Sequence, residues 1–430
     1  MEKLYIKNNR YVYYPDYNKL INADLQDIFE NSAKGNLELP TVDKEVNLEI
    51  LEKEVANINQ IILEVTRSCN LRCKYCAFGG DYFFERTHSP DKMPFTVAKK
   101  GIDYLAELFR YRKDKTFSVS FYGGEPFIHF DLIKAVVQYT REKLSNLDID
   151  FYLTTNGTLL NEEIIRYIIK NNFSVLVSLD GPQPVHDSKR VFKNNKGSHR
   201  VITRNLKKIK SINPDYFRER IRFAATVSPD LSLLERYHYF TKDGLVKDQG
   251  FSSSMVDPEG TRYFEKLKGR KDSMKNEIQE IFSHIKDKLL KNESLVPFEQ
   301  NFLKTIKDTG KHCSSGAYST LAGTCLFGTR LFLDVFGTFH TCERVNHTFP
   351  IGNIDNGLDF KRMVKMANEF KMLVKEKCSN CVARHFCKIC YAGADGNGEF
   401  TVSQKFCTKM KESVRFRLET FIDFKTHSAL

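Results

Sequence analysis

Several absences narrow the class of this 430-residue sequence before any motif is read. It contains no run of about 18 consecutive apolar residues, so no stretch is expected to cross a bilayer as a helix. Its first ten residues, MEKLYIKNNR, are polar and charged, which argues against a secretory signal and favours a cytoplasmic location. No internal repeat or low-complexity tract is present, and there is no basic tail: 66 basic residues are interleaved with 54 acidic ones, for a net charge of +12. Nucleic acid is therefore not an expected partner, whereas an acidic peptide remains compatible. Cysteine, by contrast, is plentiful. The count of 11 is odd, which excludes complete internal pairing. In a reducing compartment clustered cysteines read as metal ligands or catalytic groups.

The length suggests two or three domains. Residues 1–58 contain strand-like LYIKNN and YVYYPD, a helix-like DLQDIFENSAKG with Asp24 as its cap and Gly35 as its stop, and the acidic VDKEVNLEILEKEV. They form a small N-terminal α+β module. Over 59–255 the runs IILEVT, FSVSFYGG, IDFYLTTNG, SVLVSLDG, IRFAATVS and QGFSSSMV alternate with amphipathic stretches such as KAVVQYTREKL. Strands alternating with helices predict parallel β/α units, and six of them a partial (β/α)6 TIM-type barrel. In such folds the strand C-terminal ends build the site, and Gly, Asn and Asp residues cluster there. Residues 256–310 read as a charged helical connector, with helical spacing in SMKNEIQEIFSHIKDKLL. Eight of the cysteines fall in 311–430, marking a separate metal-bearing domain.

EVTRSCNLRCKYCAF places Cys69, Cys73 and Cys76 in a C-x3-C-x2-C loop directly after a predicted strand. Three thiolates in one loop can hold three irons of a cubane, leaving the fourth iron open to a chelating cofactor. Structural zinc sites usually close with four ligands, and no fourth Cys or His follows nearby. The loop, with Tyr75 in its aromatic position, resembles that of the radical S-adenosylmethionine (SAM) superfamily. The resemblance implies that the open iron holds the amino and carboxylate groups of SAM, whose reductive cleavage gives a 5′-deoxyadenosyl radical that takes a hydrogen atom from substrate. Gly123, Gly124, Glu125 and Pro126, behind Tyr122, are similar to the family's GGEP motif at the methionine amino group. Asn156 with Gly157, and Ser178, Asp180 and Gly181, end the next strands where the family lines the SAM ribose and carboxylate. Arg190 is a candidate carboxylate partner. Asn156, Asp180 and Gly181 are also ordinary turn residues.

The C-terminal cysteines resemble the SPASM domain of radical SAM peptide maturases, which holds two auxiliary four-iron clusters. The resemblance implies one set of Cys313, Cys325, Cys342 and Cys390 and another of Cys378, Cys381, Cys387 and Cys407, giving three [4Fe-4S] clusters in all. The last pair of the Cys378–Cys390 run has two residues between, where three are common, and Cys313 lies unusually far upstream. CSNC followed by CKIC is also compatible with zinc. Glu343 follows Cys342 at the offset where sulfatase-maturing relatives carry an Asp that takes a substrate proton, so it is the candidate base. Residues 325–354 read as a hairpin around Gly337 and resemble most the maturases that install thioethers in cysteine-rich precursors, the CXXX-repeat and ranthipeptide group.

The expected function is hydrogen abstraction from a ribosomally made precursor peptide, followed by a bond from a cysteine sulfur to that carbon, with a flavodoxin or ferredoxin-type protein as electron donor. Carbon–carbon crosslinking, sulfatase-type formylglycine formation, and a non-catalytic iron–sulfur or zinc peptide-binding protein are the alternatives. The N-terminal module is either a reduced leader-peptide grip, adding a strand at a sheet edge, or a cap on the barrel.

Overall fold

The computed structural model describes residues 3–27, 30, 45–83, 85–109, 116–256, 261–267, 273–315, 327, 330–344, 348–387, 389–396 and 398–426. At 109, 273, 312–315 and 395–396 only the backbone is described. The fold is α/β with a mostly parallel sheet. Three N-terminal strands, β1 (Leu4–Ile6), β2 (Tyr11–Tyr14) and β3 (Lys19–Asn22), form an antiparallel meander. The third was not read from sequence. It follows a turn closed by Asn18 at a φ of 48°, whose buried side chain accepts from the Tyr13 hydroxyl at 2.8 Å. Asn is one of the few non-glycine residues that tolerates this region. The short helix after it, Ala23–Leu25, is capped by Asn22, which accepts from the Asp24 amide, and not by Asp24. The expected stop at Gly35 lies outside the described residues.

The six expected strands are present in chain order: β4 (Gln60–Thr66), β5 (Thr116–Gly123), β6 (Asp148–Thr155), β7 (Ser174–Ser178), β8 (Ile221–Val227) and β9 (Gly250–Met255). All are parallel to their neighbours. The sheet then continues beyond β4. Strand β10 (Arg330–Leu333) pairs with β4 in parallel, and β11 (Thr338–His340), β12 (Gly352–Asn353) and β13 (Gly357–Leu358) follow antiparallel. The hairpin expected around Gly337 is therefore an extension of the main sheet. Gly337 supplies the left-handed φ of 88° that this turn needs.

The two faces of the sheet differ. Phe117, Val119, Phe121, Phe151, Leu153, Val175, Val177 and Phe223 are buried under helices. The helix Glu162–Lys170 shows how: Asn161 caps it by accepting from the Ile164 amide at 2.9 Å, and Ile164, Ile165 and Ile168 form its buried stripe. Each such side chain contributes roughly 1.5–3 kcal/mol on burial. Alternate strand residues, Ser118, Tyr152, Thr154, Ser174 and Arg222 among them, face the other way and remain partly or fully exposed.

Among the described residues the N-terminal meander packs on the cysteine-rich C-terminal segment, where Ile6 and Tyr13 meet Val382, Ala383, Phe386, Val414, Leu418 and Ile422. The Tyr13 and Phe386 rings lie edge to face at 5.6 Å. Arg384 and His385 contact the Pro15 carbonyl at 3.1 and 2.8 Å.

Candidate cofactor site

At the C-terminal ends of β4–β9 lies a cavity of about 430 Å³, lined by Cys69, Cys73, Tyr75 and Cys76 from the loop after β4. Gly123, Gly124, Asn156, Ser178, Arg190 and Thr226 complete the strand-end wall, and Glu343, Arg344, Ala392 and Gly393 close it from the C-terminal segment. Most sequence-derived site residues thus meet in one place. Glu125, Pro126 and Asp180 do not line it; they stand behind it.

The cysteine loop is held by backbone. The Gly124 and Glu125 amides donate to Thr66 O and Ser68 O at 2.8 and 2.9 Å. A Cβ on Gly123 would lie 2.2 Å from Thr66 O, and one on Gly124 2.3 Å from Ser68 O. Both glycines are needed because the loop's own backbone passes against the end of β5. Glu125, fully buried, accepts from the Thr155 hydroxyl and the Asn156 amide at 2.7 Å each, joining β5 to β6. Burial pushes its carboxyl up to about 7 despite these bonds. The Asn156 side chain donates to Asn70 in the loop at 2.9 Å.

Tyr75 donates its hydroxyl to buried Asp180. The other Asp180 oxygen takes the Thr226 amide at 2.9 Å and lies 3.1 Å from Arg190 Nε. Burial would raise the Asp180 carboxyl, but Arg190 and these bonds hold it below its usual range. Asp180 thus fixes Tyr75 and Arg190, and its turn position is secondary to that. Arg190 keeps a face on the cavity and places Nη1 4.0 Å from Cys73 Sγ.

Burial pushes the Cys69 and Cys73 thiols up to about 12 and raises Cys76. As free thiols they would be neutral and unreactive, whereas a bound metal group would stabilise the thiolates. N–H groups also face the sulfurs, the Leu71 amide lying 3.4 Å from Cys69 Sγ. Three thiols edging one cavity with N–H donors are the donor set an iron–sulfur cluster takes, and the residues fit it. Among the described residues no three His, Cys, Asp or Glu groups close round a single-ion position. One expectation is corrected: a histidine does lie nearby. His88 Nε2 is 3.7 Å from Cys76 Sγ, twelve residues on in sequence, while Nδ1 contacts Arg67 O at 3.2 Å. Nothing in its spacing signalled it.

A buried ionic group behind the loop was also missed. Glu64 on β4, with no exposed surface, pairs with Arg86 and with Arg67 Nε at 3.2 Å, and accepts from the Val335 amide at 3.3 Å. Arg67 also reaches Asp334 at 3.6 Å, and Arg86 Nη1 donates to Glu343 O at 3.4 Å. Residues on both flanks of the cysteine loop are thereby tied to the segment carrying Cys342 and Glu343. The Glu343 carboxylate is 19% exposed, 3.9 Å from Arg330.

Of the C-terminal cysteines, Cys381, Cys387 and Cys407 lie close enough to Cys378 to act on its thiol, which burial first of all pushes up to about 12. Cys387 in turn feels Cys381 and Cys407. Cys342 immediately precedes Glu343 and Cys390 lies two residues before Ala392, both of which line the first cavity. Cys325 and the Cys313 side chain lie outside the described residues.

Comparison with known proteins gives consistent results. The family description "Radical SAM superfamily" matches residues 63–217. An uncharacterized protein of Methanocaldococcus jannaschii is 30% identical over 336 residues, covering 77% of this chain and 97% of that one. A cysteine-type anaerobic sulfatase-maturating enzyme of Clostridium novyi is 26% identical over 163 residues, 37% of this chain. The match spans only 42% of that relative's length. The solved structure of native anSMEcpe with bound AdoMet and Cp18Cys peptide is similar in fold, with a TM-score of 0.62 at 19% identity over 85% of this chain and 97% of the other. None of the described helices is long and apolar enough to cross a membrane.

Proposed function

Because the chain belongs to the radical SAM superfamily, whose members use SAM and a [4Fe-4S] cluster, we propose that it modifies a peptide by hydrogen abstraction, with Cys69, Cys73 and Cys76 as cluster ligands. The observation that carries this reading is the single cavity in which those three thiols, the GGEP strand end and the C-terminal Glu343 face one another. The bound cluster and SAM supply a one-electron reductant and, from it, a hydrogen-atom acceptor. This chain's residues do the rest. Gly123 and Gly124 let the loop sit against β5, Tyr75 and Arg190 are oriented by Asp180, and Asn156 and Ser178 present polar groups to the cavity. Glu343 is the base for the substrate proton. It lines the cavity, and among the described residues Arg330, at 3.9 Å, is its one ion-pair partner.

We read 59–255 as a partial barrel and 311–430 as a SPASM domain with two further clusters. The grouping of Cys378, Cys381, Cys387 and Cys407 supports one of them; Cys313, Cys325, Cys342 and Cys390 would form the other. The product we favour is a thioether from a substrate cysteine. Similarity to a cysteine-type sulfatase-maturating enzyme favours a second reading, oxidation of a peptidyl cysteine to formylglycine. Mass spectrometry of peptide incubated with reduced enzyme and SAM separates them. A thioether keeps the sulfur, consumes a free thiol and resists reduction, whereas formylglycine loses the sulfur. Absence of deoxyadenosine under anaerobic reducing conditions would overturn both.

A further inference from the structure

In closed β/α barrels both strand faces are buried, and the interior is filled by branched apolar side chains. Here the inner face is mostly polar. Its positions carry Ser118, Ser120 and Tyr122 on β5, Tyr152 and Thr154 on β6, Ser174 on β7 and Arg222 on β8, with Ile62 on β4, Leu176 on β7 and Phe332 on β10 as apolar exceptions. Tyr152 is 38% exposed, so this face is not a packed core. A second cavity of about 270 Å³ runs along it from the first, and the two share Tyr122, Thr154 and Glu343. The space is one trough leading from the candidate cofactor site down the inside of the sheet.

Its charges do not balance. Arg222 and Arg330 line this lower part, and among the described residues the one carboxylate there is Glu343. Arg330 approaches Glu343 only to 3.9 Å. Arg222 is exposed, lies over Gly250 with Nη1 2.9 Å from where a Cβ would be, and makes no hydrogen bond or ion pair among the described residues. A guanidinium offers a planar fork that matches a carboxylate, and hydroxyls along strands suit an extended backbone.

We propose that this trough binds an extended stretch of the peptide substrate and that Arg222 and Arg330 recognise a carboxylate on it, from an Asp or Glu side chain or from a free C-terminus. The inference rests on the peptide reading above and adds a specificity to it. Two random dodecapeptide libraries, one with free and one with amidated C-termini, test it when equilibrated with reconstituted holoenzyme and sequenced after retention. Wild type should enrich carboxylate-bearing peptides about tenfold over neutral ones, the scale of one or two charge-assisted hydrogen bonds. Bias towards Asp- and Glu-containing sequences in both libraries assigns a side-chain carboxylate; bias towards the free-terminus library as a whole, seen as about tenfold greater total retention with no preferred sequence, assigns the C-terminus. The Arg222→Gln/Arg330→Gln variant should lose the bias, and Arg222→Gln alone, at an exposed position, should weaken it. Equal retention of the two libraries with no acidic sequence bias, or bias that persists in the variants, overturns the proposal. Retention of no peptide from either library overturns the peptide reading itself.

Discussion

Cys69, Cys73 and Cys76 occupy one loop of eight residues, whereas the described C-terminal cysteines are spread from Cys342 to Cys407. The loop is shaped locally, by backbone bonds to the end of β5 and by glycines that admit its approach. The group around Cys378 is shaped by long-range packing: Cys378 ends the helix Phe360–Cys378, Cys407 lies on the helix Gln404–Thr426, and the N-terminal meander covers the segment between. A locally built site survives distant changes. A site assembled from remote elements fails when any of them is loosened.

The largest expected contrast follows. Cys73→Ala should abolish deoxyadenosine formation and remove about four irons per chain. Cys407→Ala should remove a similar amount of iron while reducing SAM cleavage less than about tenfold and still stopping peptide modification. Iron analysis and chromatography of deoxyadenosine check both, and equal loss of cleavage in the two variants would break the comparison. Next in size, Glu343→Gln should lower peptide modification about 10²–10⁴-fold, the usual worth of a general base, read by mass spectrometry against deoxyadenosine formed.

Stability should divide along the same line. Glu64→Ala leaves Arg67 and Arg86 without their shared buried carboxylate, and chemical denaturation should show a loss of about 3–5 kcal/mol. Glu125 gives a pH signature. Its folded-state carboxyl, near 7, lies above the unfolded value of 4.5, so the native state holds the extra proton between them. Stability is then fullest below pH 4.5 and falls as pH rises towards 7, by roughly 3 kcal/mol in total. Glu125→Gln should flatten that slope in urea melts taken across the window; an unchanged slope would assign the titration elsewhere. The smallest effect is Tyr75→Phe, which removes the bond to Asp180 and should cost about 1 kcal/mol.

The sequence was most legible where information is local. The cysteine spacing, the six strand runs and the turn at Gly337 each depend on a few neighbouring residues; the strands and the turn are present in the structure, and the three thiols edge one cavity. What stayed hidden depends on long-range pairing. Strand β10 joins β4 across some 270 residues, His88 reaches Cys76 through the fold, and Glu64 finds Arg86 only once β4 is in the sheet. The alternation in FSVSFY and IDFYLTT was available to inspection. Reading those segments as apolar runs concealed that alternate residues are polar and line an open inner face.

The most direct test of the account is electron paramagnetic resonance of anaerobically reconstituted, dithionite-reduced protein with and without SAM, using a Cys342→Ala/Cys390→Ala/Cys378→Ala/Cys407→Ala variant that lacks ligands of both proposed auxiliary clusters. The account predicts a [4Fe-4S]⁺ signal that shifts when SAM is added and is lost when Cys73 is also replaced. A signal indifferent to SAM, or one that survives the loss of Cys73, would contradict it.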